Sequence, residues 1–158
     1  MSVQYFNQTK PSMRLEQYRL KANRTYLSFQ FTSEGPKGKI SKLIIYSETH
    51  IGGVYNLAFG DRIGNTNEID DMIVTDNKDS EKVLATVANS MYLFTDKYPQ
   101  SWVVLTGSTQ ARTRLYRMGI SIYFEELNKD FHINGYTDNK WVNFDKNIDF
   151  EAFSIKKK

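Results

Sequence analysis

Three arginines, Arg112, Arg114 and Arg117, stand just behind Gly107, Ser108 and Thr109 in the stretch VVLTGSTQARTRLYRMGIS. An apolar run that ends in Gly-Ser-Thr and passes at once into a helical period is a strand-to-helix turn. The first N–H groups of such a helix have no intrahelical acceptor and face whatever sits at the strand's end. The helix dipole places about half a positive charge there, so each nearby cation costs roughly 0.3–1 kcal/mol. Something negative must offset the arginines. The chemistry this predicts is anion recognition by the Gly107–Ser108–Thr109 backbone with one or two guanidiniums, the anion being a phosphate or an acidic partner's carboxylate. Helical spacing puts Arg114 and Arg117 on one flank and Arg112 on the other, beside Tyr116, so one ligand does not meet all three. The alternative is an internal network in which Asp70, Asp71 or Asp76 neutralises them.

Other chemistry-bearing residues are scattered. Asp70 and Asp71 are adjacent, so on a strand they point to opposite faces and do not share a metal ion. DNKDSE lacks the glycine and the terminal glutamate of a calcium loop; Asp79 reads as a helix cap, Asp76 as a turn residue. With no cysteine and two distant histidines, His50 and His132, no metal site is expected. EGPKGK offers lysines to a phosphate but has the composition of a plain hairpin turn. Tyr55, Phe59, Tyr136 and Phe144 suit either an aromatic face for single-stranded nucleic acid or half-buried sheet positions. Trp102 and Trp141 read as core or sheet-face aromatics. His132 alternates with Phe131 and Ile133 and faces solvent.

The elements that must position these groups follow from periodicity. TYLSFQF alternates as a strand, SEGPKGK turns and ISKLIIYSE returns; GGVYNLAFGD and NEIDDMIVT read as two more strands. DSEKVLATVANSMYLFTDKYP carries Val83, Val87, Met91 and Phe94 on one stripe of an amphipathic helix. SWVVLTG is a short, fully apolar strand of the kind found parallel to a neighbour. STQARTRLYRMGISIYFEELN is a second helix with Ala111, Leu115, Met118 and Ile122 on its apolar face. FHINGY and KWVNF close a hairpin at TDNK. The expected fold is α+β: one curved, mixed sheet of about seven strands with two helices packed on it. The order is ββββαβαββ, in one domain over residues 18–155, between a leader (1–17) and a basic tail (156–158).

Composition limits the function classes. The 158 residues are 40% hydrophobic and 25% charged, ordinary for a globular domain, with a net charge of +3. That field is too weak to imply nucleic-acid binding by charge alone. No apolar run reaches the roughly 18 residues a membrane span needs. The N-terminus lacks the order of a secretory signal. A soluble, cytoplasmic protein without a membrane partner is expected.

FTSEGPKGKI, YNLAFGD, DDMIVTDNKDSEKVLATVA and TGSTQARTRLYRMGI resemble a small family of uncharacterised bacterial proteins, a domain of unknown function. The element order and ARTRLYRMGI are similar to the GCN5-related N-acetyltransferases, with their A-x-x-L-Y-x-x-x-G-F. That resemblance implies an acetyltransferase-like sheet, acyl-CoA as cofactor and Tyr116 as general acid; the residues themselves imply no cofactor. The leading expectation is a binding module for an anionic group: a nucleic-acid backbone, a nucleotide or an acidic partner protein. The alternatives are an acyl-CoA-dependent acyltransferase and a small ribonuclease toxin of a toxin–antitoxin system.

Overall fold

The computed structural model describes residues 4–6, 16–70, 75–107 and 109–158. Among them run nine strands and three helices: β1 (Gln4–Phe6), β2 (Leu20–Ala22), β3 (Ser28–Gly35), β4 (Gly38–Glu48), β5 (Val54–Asp61), α1 (Ser80–Lys97), β6 (Trp102–Leu105), α2 (Gln110–Ile122), α3 (Phe124–Asp130), β7 (Phe131–Thr137), β8 (Lys140–Asn143) and β9 (Ala152–Lys157). The strands hydrogen-bond as one mixed sheet in the order β1-β2-β3-β4-β5-β6-β9-β7-β8. The class is α+β. Two compact units divide the chain, Met1–Ile45 with Phe59–Lys97, and Tyr46–Ala58 with Tyr98–Lys158. Among the described residues no helix is long and apolar enough to cross a membrane.

In the first unit, β3 and β4 pair antiparallel from Ser28↔Ile45 to Gly35↔Gly38, leaving Pro36 and Lys37 as a two-residue turn. Alternation along β3 buries Phe29, Phe31 and Ser33, as the period of two requires. Helix α1 is buried from Val83 through Thr95 without a break, so it is covered all round where the sequence predicts a single stripe. Its polar residues make that possible by bonding back along the helix. Thr86 Oγ1 donates to the Lys82 carbonyl at 2.7 Å, Ser90 Oγ to Val87 at 2.6 Å and Thr95 Oγ1 to Met91 at 2.7 Å.

In the second unit, β6 runs parallel to β5 from Val54↔Trp102 to Leu57↔Leu105. β9 lies antiparallel between β6 and β7. The β7–β8 hairpin turns on Asp138 and Asn139, both at positive φ (50° and 61°), the conformation a two-residue turn of the right twist demands.

The structure departs from the sequence-based expectation of the elements in three places, and a fourth expectation falls partly outside the described residues. Nine strands, not about seven, form the sheet. The strand expected in NEIDDMIVT includes residues 71–74, which lie outside the described residues; the described part makes one isolated bridge, Arg62↔Ile69. The single second helix is two, because the chain leaves helical geometry at Tyr123 (φ −102°, ψ 16°), whose N–H closes on the Gly119 carbonyl. The run Ile122-Tyr123-Phe124 is β-branched and aromatic, the weakest helix-forming stretch there. Where the sequence suggests a basic tail, Lys156 and Lys157 are the last residues of β9. Their backbones pair with the neighbouring strands.

Candidate functional site

At the end of β6 the chain enters α2 through Thr109, which is extended (φ −135°, ψ 161°) and caps the helix. Its Oγ1 accepts the Arg112 N–H at 3.2 Å, and its carbonyl accepts the Thr113 N–H at 3.1 Å and the Thr113 hydroxyl at 3.2 Å. A cap of this kind stabilises a helix by about 1 kcal/mol. Gly107 is required by close approach. A Cβ there would overlap the Thr113 backbone nitrogen and stand 2.5 Å from its Oγ1. Ser108 lies outside the described residues.

Gly107, Thr109, Gln110, Thr113, Arg114 and Arg117 line one cleft of about 610 Å³, which Asp149 and Glu151 also line. The flanks divide as helical spacing implies. Arg114 is exposed and has no ion-pair partner among the described residues. Arg117 donates from Nη1 to Asp149 Oδ1 and from Nη2 to the Lys146 carbonyl at 2.9 Å. With Asp149 93% exposed, that pair contributes at most about 1 kcal/mol, yet it fixes where the Arg117 guanidinium points. Arg112 and Tyr116 lie on the inner side of α2, 4% and 3% exposed, engaged in contacts of their own.

Of the acids considered as internal partners, Asp76 accepts the Lys78 N–H at 2.9 Å as a turn residue does, and the Asp70 N–H donates to the Asp61 carbonyl at 2.8 Å. Asp71 lies outside the described residues. Asp149, the acid that meets Arg117, sits in the loop before β9 and carries no periodic signal linking it to the helix. The apolar face expected on Ala111, Leu115, Met118 and Ile122 points outward, with Met118 38% and Ile122 42% exposed; the inner face is Arg112, Tyr116, Gly119 and Ile120. Arg112 interrupts that inner stripe, so the outward one reads as the more apolar of the two.

Among the aromatics, Phe59 and Phe144 are buried at 2% and 9% exposure. Tyr55 packs on Tyr98 with ring centroids 5.9 Å apart. Among the described residues no three His, Asp or Glu side chains gather as a metal-binding group.

Sequence reasoning did not single out Lys42. Its side chain is 1% exposed, and its Nζ donates to Asp61 Oδ1 at 2.5 Å and to the Thr75 carbonyl at 3.1 Å. Thr75 in turn donates to the Asp61 carboxylate from its backbone N–H at 3.2 Å and from its hydroxyl. Burial alone would raise the Asp61 pKa, but the hydrogen bonds from Lys42 and Thr75 outweigh it and hold the carboxyl below its ordinary range. The signal was faint: one lysine in the otherwise apolar return strand SKLIIY. A second polar cluster closes on Asp79, whose Oδ2 accepts from the Tyr18 hydroxyl at 2.6 Å and the Ser33 hydroxyl at 2.5 Å. Asp79 stands at the cap position, its carbonyl accepting the Val83 N–H, while its carboxylate turns to these partners. Burial, then the Asp79 contact, push the Tyr18 phenol up. Both clusters tie segments together, and neither lines the α2 cleft.

No curated protein and no solved structure gives a significant match to this sequence. The model described as "Family of unknown function (DUF6934)" matches residues 14–158. That match takes in the β6–α2 turn, all three helices and every strand but β1, and the chain accordingly belongs to the DUF6934 family.

Proposed function

We propose that this chain is a binding module that receives an anionic group in the α2 cleft. The observation that carries the reading is Arg114: an exposed guanidinium on the cleft wall, without an acidic partner among the described residues. The oxygens of Thr109 take the N–H groups of Arg112 and Thr113, so Gln110 and Ala111 are the backbone donors a ligand would meet. Asp149 and Glu151 on the same cleft repel a diffuse polyanion. They leave room for a compact group, such as one phosphate of a nucleotide or of a nucleic-acid backbone, or one carboxylate of an acidic partner. The acyltransferase alternative asks Tyr116 to reach a leaving thiolate and the segment before α1 to hold a pyrophosphate. Tyr116 is buried, and that segment, TDNKDSE, is acidic. The ribonuclease-toxin alternative asks for arginines, a tyrosine and an acid around one phosphate; here Tyr116 is buried and Asp149 is paired with Arg117.

Thermal unfolding tests the reading. Pyrophosphate or a nucleoside diphosphate at a hundred times its Kd stabilises a native state by about 2.7 kcal/mol, a rise of several degrees for a chain of this length. Arg114→Ala is expected to abolish that rise with little change in the ligand-free midpoint, since the side chain is exposed. Arg117→Ala is expected to weaken the rise less, because Asp149 already holds that guanidinium. A rise that survives Arg114→Ala, or none with any of these anions, rules the reading out.

A further inference from the structure

We propose that the face of the β6-β9-β7-β8 sheet that carries both tryptophans binds single-stranded nucleic acid, with Trp102 and Trp141 as stacking stations and Lys156 and Lys158 drawing the phosphates. This is a surface separate from the α2 cleft and does not depend on it.

Register places the groups. Trp102, Lys156 and His132 are mutual Cα partners across β6, β9 and β7; Val104, Ser154, Asn134 and Asn143 form the next row, and Ala152, Tyr136 and Trp141 the one after. Directly paired residues share a face, so these rows lie on one side of the sheet, exposed at His132, Asn143 and Trp141 and closed in the middle, where the small Ser154 and Ala152 are buried between larger neighbours. The intervening residues Val103, Leu105, Phe131, Ile133, Phe153 and Ile155 are all buried on the other. A solvated sheet face ordinarily carries small or mixed-charge residues; this one carries both tryptophans of the chain. Trp141 is 46% exposed, its ring tilted by 55° against Tyr136 with centroids 5.2 Å apart. Lys156 Nζ stands 5.8 Å from the Trp102 ring centroid, so a phosphate drawn to the ammonium brings its base against the indole.

The charge of the surface agrees. A cleft of about 670 Å³ at the Trp102 end takes in His132, Asn134, Lys156 and Lys158 together with the buried Ile133 and Phe144, and no aspartate or glutamate lines it. The α2 cleft, by contrast, holds two acids against its two arginines. The asparagines offer both donors and acceptors to base edges. Three strand spacings and two rows separate Trp102 from Trp141, roughly 20 Å along the diagonal, a span that suits a short extended strand and exceeds a single nucleotide. Stacking on exposed aromatics contributes about 1–3 kcal/mol per base and tolerates any sequence.

The tryptophans report directly. Titrating the full chain with an oligouridylate or oligothymidylate of about eight nucleotides is expected to quench their fluorescence to saturation. Trp102→Ala should weaken binding about tenfold. Lys156→Gln should weaken it several-fold and lower the slope of log K against log salt by about 0.7. Trp141→Ala, at an exposed position where folding is not at stake, should remove the second quenching component. Saturation by uridine monophosphate at the same concentration would overturn the strand assignment, as would equal affinity for duplex. Binding untouched by both Trp141→Ala and Lys156→Gln, or no quenching by either oligonucleotide, would overturn the site.

Discussion

Asp61→Ala is expected to destabilise the protein by about 3–5 kcal/mol, because it strands a buried ammonium. Lys42 is 1% exposed while its partner carboxylate is 14% exposed, and that difference decides which half of the pair matters more. With Asp61 removed, Lys42 retains only the Thr75 carbonyl among the described residues, and its own side chain is 1% exposed. With Lys42 removed, the Asp61 carboxylate keeps the Thr75 N–H and hydroxyl and can recruit water at its open side. Lys42→Met, which preserves the stem's packing, is therefore expected to cost less than Asp61→Ala. Acid has the same target. The folded-state pKa of Asp61 lies below its unfolded value, so its contribution is fully present above the ordinary carboxylate range and is lost as pH falls through the folded value. Urea midpoints at pH 7 and near pH 3 check both points. The wild type should lose stability between them, and Asp61→Asn should lose less. An Asp61→Ala midpoint within the scatter of wild type would mean the pair is solvated in solution.

Elements whose apolar period had one reading were legible in the sequence: the β3–β4 hairpin, α1, the parallel strand β6 and the β7–β8 hairpin. The rest failed for identifiable reasons. β9 buries four successive residues, Ala152 to Ile155. Both of its faces are covered there, so its apolar stretch is short, and its lysines read as a tail. Helix α2 is apolar on two sides, and the arginine at position 112 made the buried side look the more polar. Burial of a guanidinium depends on what the tertiary fold packs around it, which helical spacing does not encode. The cleft was half legible. The strand-to-helix turn and helical spacing were enough to group Gly107, Thr109, Arg114 and Arg117, which line one cleft. Asp149 was not, because it reaches Arg117 from 32 residues away. The Trp102–Lys156–His132 row was invisible for the same reason. Its members come from three strands, and register is a property of the assembled sheet.

Gly35→Ala is expected to cost about 3 kcal/mol, far beyond the usual exposed-turn substitution. The added methyl would overlap the Asn77 carbonyl oxygen and stand 2.8 Å from Asn77 Cγ and Oδ1. The first of these is backbone, so no rotamer change relieves it. Overpacking of that kind costs about 1–3 kcal/mol, and here it also dislodges a buried staple. Asn77 is 1% exposed. It accepts the Lys37 N–H at 2.7 Å and donates to the Gly38 carbonyl at 2.9 Å and to Ser33 Oγ at 3.2 Å, so it ties the β3–β4 turn to the entry of α1. Each group left buried and unpaired adds about 1–3 kcal/mol. Gly52→Ala is the control. A Cβ there meets nothing within 4 Å, so its effect should stay within about 0.5 kcal/mol. Urea unfolding of the two variants, with unchanged m-values, separates the contact from the general cost of replacing glycine. Equal midpoints would mean the turn is held by its strand pairing and not by Asn77.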